Sequence, residues 1–172
     1  MGRNVRKLRI ALHIAALAVV LPPALVPAVE PTTPEERTEA VRLARELEQN
    51  PFGAEARQQR GMLFRWWKEV PDLRLRWCQP LMLDLQIGDE ELAAAVLVQA
   101  VLSGGAYMIE NPGAANEPRS IWIAGVEGAL RTYRRAVELN PDVKSADLEQ
   151  LVALERAGRL AEYVDRHATE CD

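Results

Sequence analysis

Histidine is scarce in this chain of 172 residues, which holds only His13 and His167. Serine is nearly as rare, with Ser103, Ser120 and Ser145, and cysteine is limited to Cys78 and Cys171. These shortages bear on chemistry. No G-x-S-x-G, H-E-x-x-H, P-loop or C-x-x-C pattern occurs, so the usual supports for hydrolase, zinc-protease, nucleotide and dithiol chemistry are missing. A Ser/His catalytic pair would need His167, which reads as a solvated histidine on a terminal turn. Asp89, Glu90 and Glu91 cluster without EF-hand spacing, and capping of the following helix explains them. Glu110 and Glu117 are the carboxylates a glycosidase would need, but any helical bundle holds such pairs. No catalytic, cofactor-binding or metal-ligating residue is therefore assigned, and no cofactor is expected.

The N-terminus also lacks an apolar run long enough for a membrane anchor. Ile10 to Leu21 is twelve residues, broken only by His13, and too short to cross roughly 30 Å of hydrocarbon. Arg3, Arg6, Lys7 and Arg9 precede it, and Pro22, Pro23 and Val26-Pro27-Ala28 follow. This is the layout of a secretory signal peptide. The expected organisation is a signal peptide over 1–28 and a single helical domain over 29–172, periplasmic or secreted. No Cys follows the apolar run, so a lipid anchor has no attachment point. The leader takes four of the 21 basic residues and none of the 25 acidic ones, which leaves the remainder at −8. Such a chain repels phosphate backbones, so no nucleic-acid partner is expected. Behind a signal peptide the even cysteine pair reads as a disulfide, Cys78 to Cys171.

Strand signals are almost absent. Only Leu73-Arg74-Leu75-Arg76-Trp77 alternates with period two. A single five-residue strand cannot make a sheet. The segment is expected to be an extended connector that lays Leu73, Leu75 and Trp77 on the protein and turns Arg74 and Arg76 to water. The fold class that remains is all-α: a small bundle of antiparallel helix hairpins around a buried central helix, 90–110.

Helix signals are plentiful. Thr33, Pro34 and Glu36 form a T-x-x-E capping box that opens a first helix, and Asn50-Pro51 stops it. A second helix spans about Ala54 to Val70, with Met62, Leu63, Trp66, Trp67 and Val70 on one apolar stripe and Arg57, Arg60, Arg65 and Lys68 elsewhere. A short helical piece lies within Pro80 to Ile87. Asp89 caps the central helix, where Gln99 is the one polar residue between Leu92 and Leu102. A helix apolar all round must be buried on most sides. Pro118 to Leu139 forms the next, with Trp122, Val126, Ala129, Leu130, Tyr133 and Val137 inward. Glu127, Arg131, Arg134 and Glu138 lie outward as two i,i+4 ion pairs. Gly105 and Gly125 reach the same height if the hairpin turns near residue 115, which predicts a close helix crossing there. Ser145 caps a helix from Ala146 to Ala157, with Leu148, Leu151, Val152 and Leu154 inward and Gly158 at C′. A last helix runs from Arg159 to about Thr169 on Leu160, Tyr163 and Val164.

The sequence GALRTYRRAVELNP carries Ala129-x3-Tyr133-x2-Ala136-x4-Pro141, and ERAGRLAEY follows. Over about 124–163 this resembles a tetratricopeptide-repeat helix hairpin. Gly113, Asn116, Glu117 and Ser120 depart from the first-helix pattern of that family. The resemblance implies helix pairs stacked into a peptide-binding groove.

Two uses of the basic stretch 57–77 follow. It is either a solvated face paired with the protein's own carboxylates, or a surface for an acidic partner. The expected function is a non-enzymatic protein–protein interaction domain that meets another exported protein through Trp66, Trp77, Arg74 and Arg76, or through a groove between hairpins. The alternative is a small-molecule or lipid carrier with an apolar cavity near Gly104, Gly105 and Gly125. A hydrolase is the third reading.

Overall fold

The computed structural model describes residues 31–83 and 85–171. The expected signal peptide lies outside them. The described residues form seven α-helices and no strand: α1 (Pro34–Gln49), α2 (Ala56–Glu69), α3 (Pro80–Leu83), α4 (Glu90–Glu110), α5 (Pro118–Leu139), α6 (Ala146–Arg156) and α7 (Leu160–Ala168).

Local chemistry sets most of the ends. At α1 the capping box forms in full, with Thr33 Oγ1 accepting from the Glu36 amide and the Glu36 carboxylate accepting from the Thr33 amide. Asp89 and Ser145 accept from the amides of Leu92 and Leu148 and so cap α4 and α6. Each such cap contributes about 1 kcal/mol by satisfying an amide that the helix cannot. Gly158 follows α6 at φ +70°, the left-handed conformation that favours glycine after a helix.

Helix α4 is the wall between two apolar clusters. Leu92, Val96 and Ala100 pack with Leu130, Tyr133, Leu148 and Val164 from α5, α6 and α7. Leu102, Ala106 and Met108 pack with Ala44, Leu47, Leu63 and Trp67 from α1 and α2. Each fully buried Leu or Val adds about 1.5–3 kcal/mol relative to exposure. By length and composition α4 could cross a membrane, but most of its apolar stretch is buried inside the protein. One flank is less enclosed: Ala94 is exposed, and Leu97, Val98 and Val101 are half-buried.

The close crossing of α4 and α5 is present, in a different register. A Cβ on Gly125 would lie 2.5 Å from the Ala100 carbonyl oxygen, and one on Gly104 would lie 3.1 Å from the Ile121 carbonyl oxygen. These pairs are centred on Pro112–Gly113. The expected hairpin was centred near residue 115. The shift arises because Pro112–Asn116 winds into a 3-10 helix between α4 and α5. Gly105 therefore faces the Trp67 ring of α2, not α5. Gly125→Ala is expected to destabilise by about 3 kcal/mol, since the new methyl meets backbone that cannot swing aside. Gly61, with nothing within 4 Å of a built Cβ, is the control: Gly61→Ala should be neutral or stabilising by up to about 1 kcal/mol. Urea unfolding of both variants checks this.

Two other expectations are corrected. The buried face of α2 is Ala56, Arg60, Leu63 and Trp67, whereas Met62 is 48% exposed. The ion pairs of α5 are not i,i+4 pairs. Arg131 bonds Glu48 of α1, Arg134 bonds Glu155 of α6, and Glu138 pairs with Arg135.

Candidate functional site

The segment from Leu73 to Trp77 contains neither helix nor turn, and its exposure alternates as expected. Leu73, Leu75 and Trp77 are half-buried, while Arg74 and Arg76 are exposed. It runs alongside α2. Between the two lies a groove of about 550 Å³, floored by Phe64, Trp67, Leu73, Leu75, Trp77 and Val101 and edged by Lys68 and Arg74. The groove continues over Phe64, Trp77 and Val101 into a recess of about 160 Å³ against Met82, Leu97 and Val98. The less enclosed flank of α4 thus forms the bottom of this apolar trough.

The connector is pinned at both ends. Asp72 accepts hydrogen bonds from the Thr32 amide and hydroxyl and from Arg37. Partial desolvation pushes the Asp72 carboxyl up, but these bonds outweigh it and hold it below its ordinary value. At the other end Cys78, buried, is disulfide-bonded to Cys171, with Cα atoms 5.3 Å apart. Trp122 donates its indole N–H to the Arg76 carbonyl at 2.7 Å. Among the described residues, that is the only hydrogen bond reaching the main chain of 73–77.

The electrostatics of this side are unusual for an acidic chain. All arginines of α1 (Arg37, Arg42, Arg45) and of α5 (Arg119, Arg131, Arg134, Arg135) hold a carboxylate. Among the described residues, no ion pair reaches Arg57, Arg60, Arg65, Lys68, Arg74 or Arg76. The expectation that this stretch pairs with the protein's own carboxylates is corrected. Arg60 is a special case: it is buried, donates to the Pro51 carbonyl, and burial pushes its pKa down.

The four residues expected to form a partner surface do not converge. Trp77 and Arg74 belong to the groove. Trp66 lies on the other flank of α2, in a second apolar groove of about 480 Å³ against Leu43 of α1, rimmed by Glu35, Glu36 and Glu39. Neighbouring residues on a helix point about 100° apart, so Trp66 and Trp67 must diverge, and they meet edge-on at 5.1 Å. The Arg76 side chain is exposed beyond the groove. Lys68 belongs to the basic stretch expected from sequence, but Phe64 was not singled out, although Phe64 and Lys68 are an i,i+4 pair on one flank of α2.

Beside the glycines the space is filled. The rings of Trp67 and Trp77 occupy the positions that side chains on Gly105 and Gly125 would take. His167 bonds the Tyr163 carbonyl through Nδ1 at 2.9 Å, and its ring lies tilted at 39° against the Tyr163 ring. None of the three serines is a hydrogen-bond partner of His167: Ser103 bonds Glu48, Ser145 caps α6, and Ser120 faces Glu117. Glu110 pairs with Arg45. Among the described residues no group of three or more His, Cys, Asp and Glu side chains could hold a metal ion.

One polar cluster is deeply buried. Glu48 (2% exposed) accepts from Ser103 Oγ at 2.7 Å, Arg131 Nε at 2.7 Å and Arg45 at 2.7 Å. Gln99 donates to Ser103 Oγ and to the Ala44 carbonyl. Burial pushes the Glu48 carboxyl up, but hydrogen bonds from Arg131 and Ser103 and the charges of Arg131 and Arg45 win, so it lies below its ordinary value. The only hint in the sequence is Gln99 and Ser103, i and i+4, as lone polar residues in the central helix. Comparison of the chain with protein-family models, with curated proteins and with solved structures gives no match.

Proposed function

We propose that this chain is an exported, non-enzymatic interaction domain that binds another protein through the 57–77 region. One observation carries the reading. On a chain with a balance of −8 from residue 29 onward, a stretch of clustered cations that no ion pair reaches among the described residues borders an aromatic groove. A solvated basic face of an acidic protein would be expected to collect its own carboxylates, as α1 and α5 do. Apolar floor and charged edge are the parts of a protein-binding surface: buried aromatics supply affinity and the rim charges set orientation and on-rate. The repeat-like stretch supports this choice over a groove between hairpins, because Ala129, Tyr133, Ala136, Leu148 and Val152 spend its inner face on the core.

The test is site-specific photo-cross-linking in the native envelope. A photoreactive residue at Arg74 should cross-link to a protein, and one at exposed Glu138 on α5 should not. The Arg74 adduct should fade when Lys68→Glu and Arg76→Glu are added, and when salt rises, since exposed charges are screened beyond about 10 Å at 0.1 M. No adduct at Arg74, or an adduct to lipid alone, would overturn the proposal.

A further inference from the structure

The connector 73–77 has the alternating exposure of an extended chain, and among the described residues one of its edges carries no hydrogen bond. Main-chain amides and carbonyls away from water are nearly always paired, by backbone, side chain or solvent. Here the single bond within the described residues is the Trp122 indole on the Arg76 carbonyl. In an extended chain the N–H and C=O of one residue point the same way, and those of the next residue point the opposite way. The Arg76 bond therefore turns the polar groups of Arg74 and Arg76 toward α5. By that alternation the groups of Leu73, Leu75 and Trp77 face the opposite edge, away from Trp122, and these three residues line the groove beside α2. Five residues of extended chain offer an edge about 17 Å long. The edge is held at one end by Asp72 and at the other by the Cys78–Cys171 bond. A template already fixed loses little entropy on binding.

We infer that this edge accepts an extended acidic–apolar peptide segment as an added β-strand. The inference rests on the proposed interaction function and gives the partner its chemistry. Adding a strand to an exposed edge supplies affinity through main-chain hydrogen bonds and specificity through alternate side chains. The alternation of the connector dictates that of the ligand. Side chains on the inner face of the peptide drop onto Phe64, Trp67 and Val101, and must be apolar. Side chains on the outer face stand beside Arg74, Arg76 and Lys68, which hold no carboxylate among the described residues, and must be acidic; directly opposed opposite charges are the favourable cross-strand pairs. An acidic amphipathic helix would present the same charges but could not pair with the Leu73 and Leu75 main chain.

The experiment uses the disulfide-bonded protein from residue 29 and a seven-residue capped peptide of alternating glutamate and valine, fluorescently labelled. Three controls accompany it: the same peptide N-methylated along one edge and then along the other, and a helix-forming peptide of equal charge. One of the two N-methyl peptides should bind at least tenfold more weakly, and so should the helical peptide. Hydrogen exchange at the Leu73 and Leu75 amides should slow at least tenfold in the complex. Leu75→Pro, which deletes one donor on the free edge, should weaken binding without altering the helical circular dichroism. Equal binding of all four peptides, or unchanged exchange at Leu73 and Leu75, would overturn the strand-addition inference. A protein adduct at Arg74 would still stand in that case, so the two claims fail separately.

Discussion

Replacing Glu48 by alanine is expected to cost about 3 kcal/mol of stability. The carboxylate is 2% exposed and holds Arg45, Arg131 and Ser103 together. Removing one member of a buried charge group costs about 3–5 kcal/mol, because the charges left behind are uncompensated. The lower end applies, since the side chains of Arg45 and Arg131 keep 33% and 34% of their exposure and can turn to water. Glu48→Gln should also destabilise, because its amide would set a donor against the Arg131 N–H. Pairing Glu48→Leu with Arg131→Met should recover part of the loss, as apolar replacement of a whole buried ion pair is often neutral. Denaturant unfolding of the single and double variants forms a cycle that reads the coupling directly.

The same group shapes the acid limb of stability. The folded pKa of Glu48 is depressed, so the unfolded chain takes up its proton more readily, and stability rises with pH through this window. Its contribution is complete above the unfolded value of about 4.3 and is lost as pH falls through the folded value. Unfolding curves taken between pH 2 and pH 7 should show a shallower acid slope for Glu48→Gln than for the parent. Equal slopes would mean that Glu48 titrates normally and that its three donors do not favour the charged form.

What could be read from sequence was what neighbours within a few residues decide. Thr33-Pro34-x-Glu36, Asp89, Ser145 and Gly158 set helix ends through contacts three or four positions away, and all four ends fall where expected. The alternation of 73–77 is equally local. What could not be read was the choice of distant partner. Arg131 has Glu127 one turn away yet bonds Glu48, 83 residues off, because Glu48 is buried beside Ser103 and needs a cation more than the half-buried Glu127 does. The hairpin register slipped for a related reason: periodicity locates α4 and α5 but says nothing of the pitch of Pro112–Asn116 between them. The groove was half legible. Its aromatic and basic residues stand out by type, but Trp66 and Trp77 look alike until α2 is rotated into place, and only then does Trp66 fall on the α1 side.

Removing the disulfide is the change with the largest expected effect. Cys78 and Cys171 are 93 residues apart in sequence, and closing a loop of that length contributes on the order of 4–5 kcal/mol by restricting the unfolded chain. For a chain of this size that corresponds to a fall in Tm of roughly 10–15 °C. The Cys78→Ala/Cys171→Ala double variant, melted beside the parent with and without reductant, measures it. The parent should fall to the level of the variant only when reduced. The loss should not be confined to the C-terminus, because α7 keeps its own contacts: Leu160 and Val164 remain in the core, and the Tyr163 hydroxyl still donates to the Leu81 carbonyl at 2.8 Å. What changes locally is the connector, which loses the anchor next to Trp77. A connector tethered only through Asp72 and the Trp122 bond samples more conformations, and a peptide that pairs with it must pay for ordering it. The double variant should therefore bind the alternating glutamate–valine peptide more weakly at a temperature where it is still fully folded. Unchanged affinity there would show that Asp72 and Trp122 suffice to hold the edge, and that the disulfide serves stability alone.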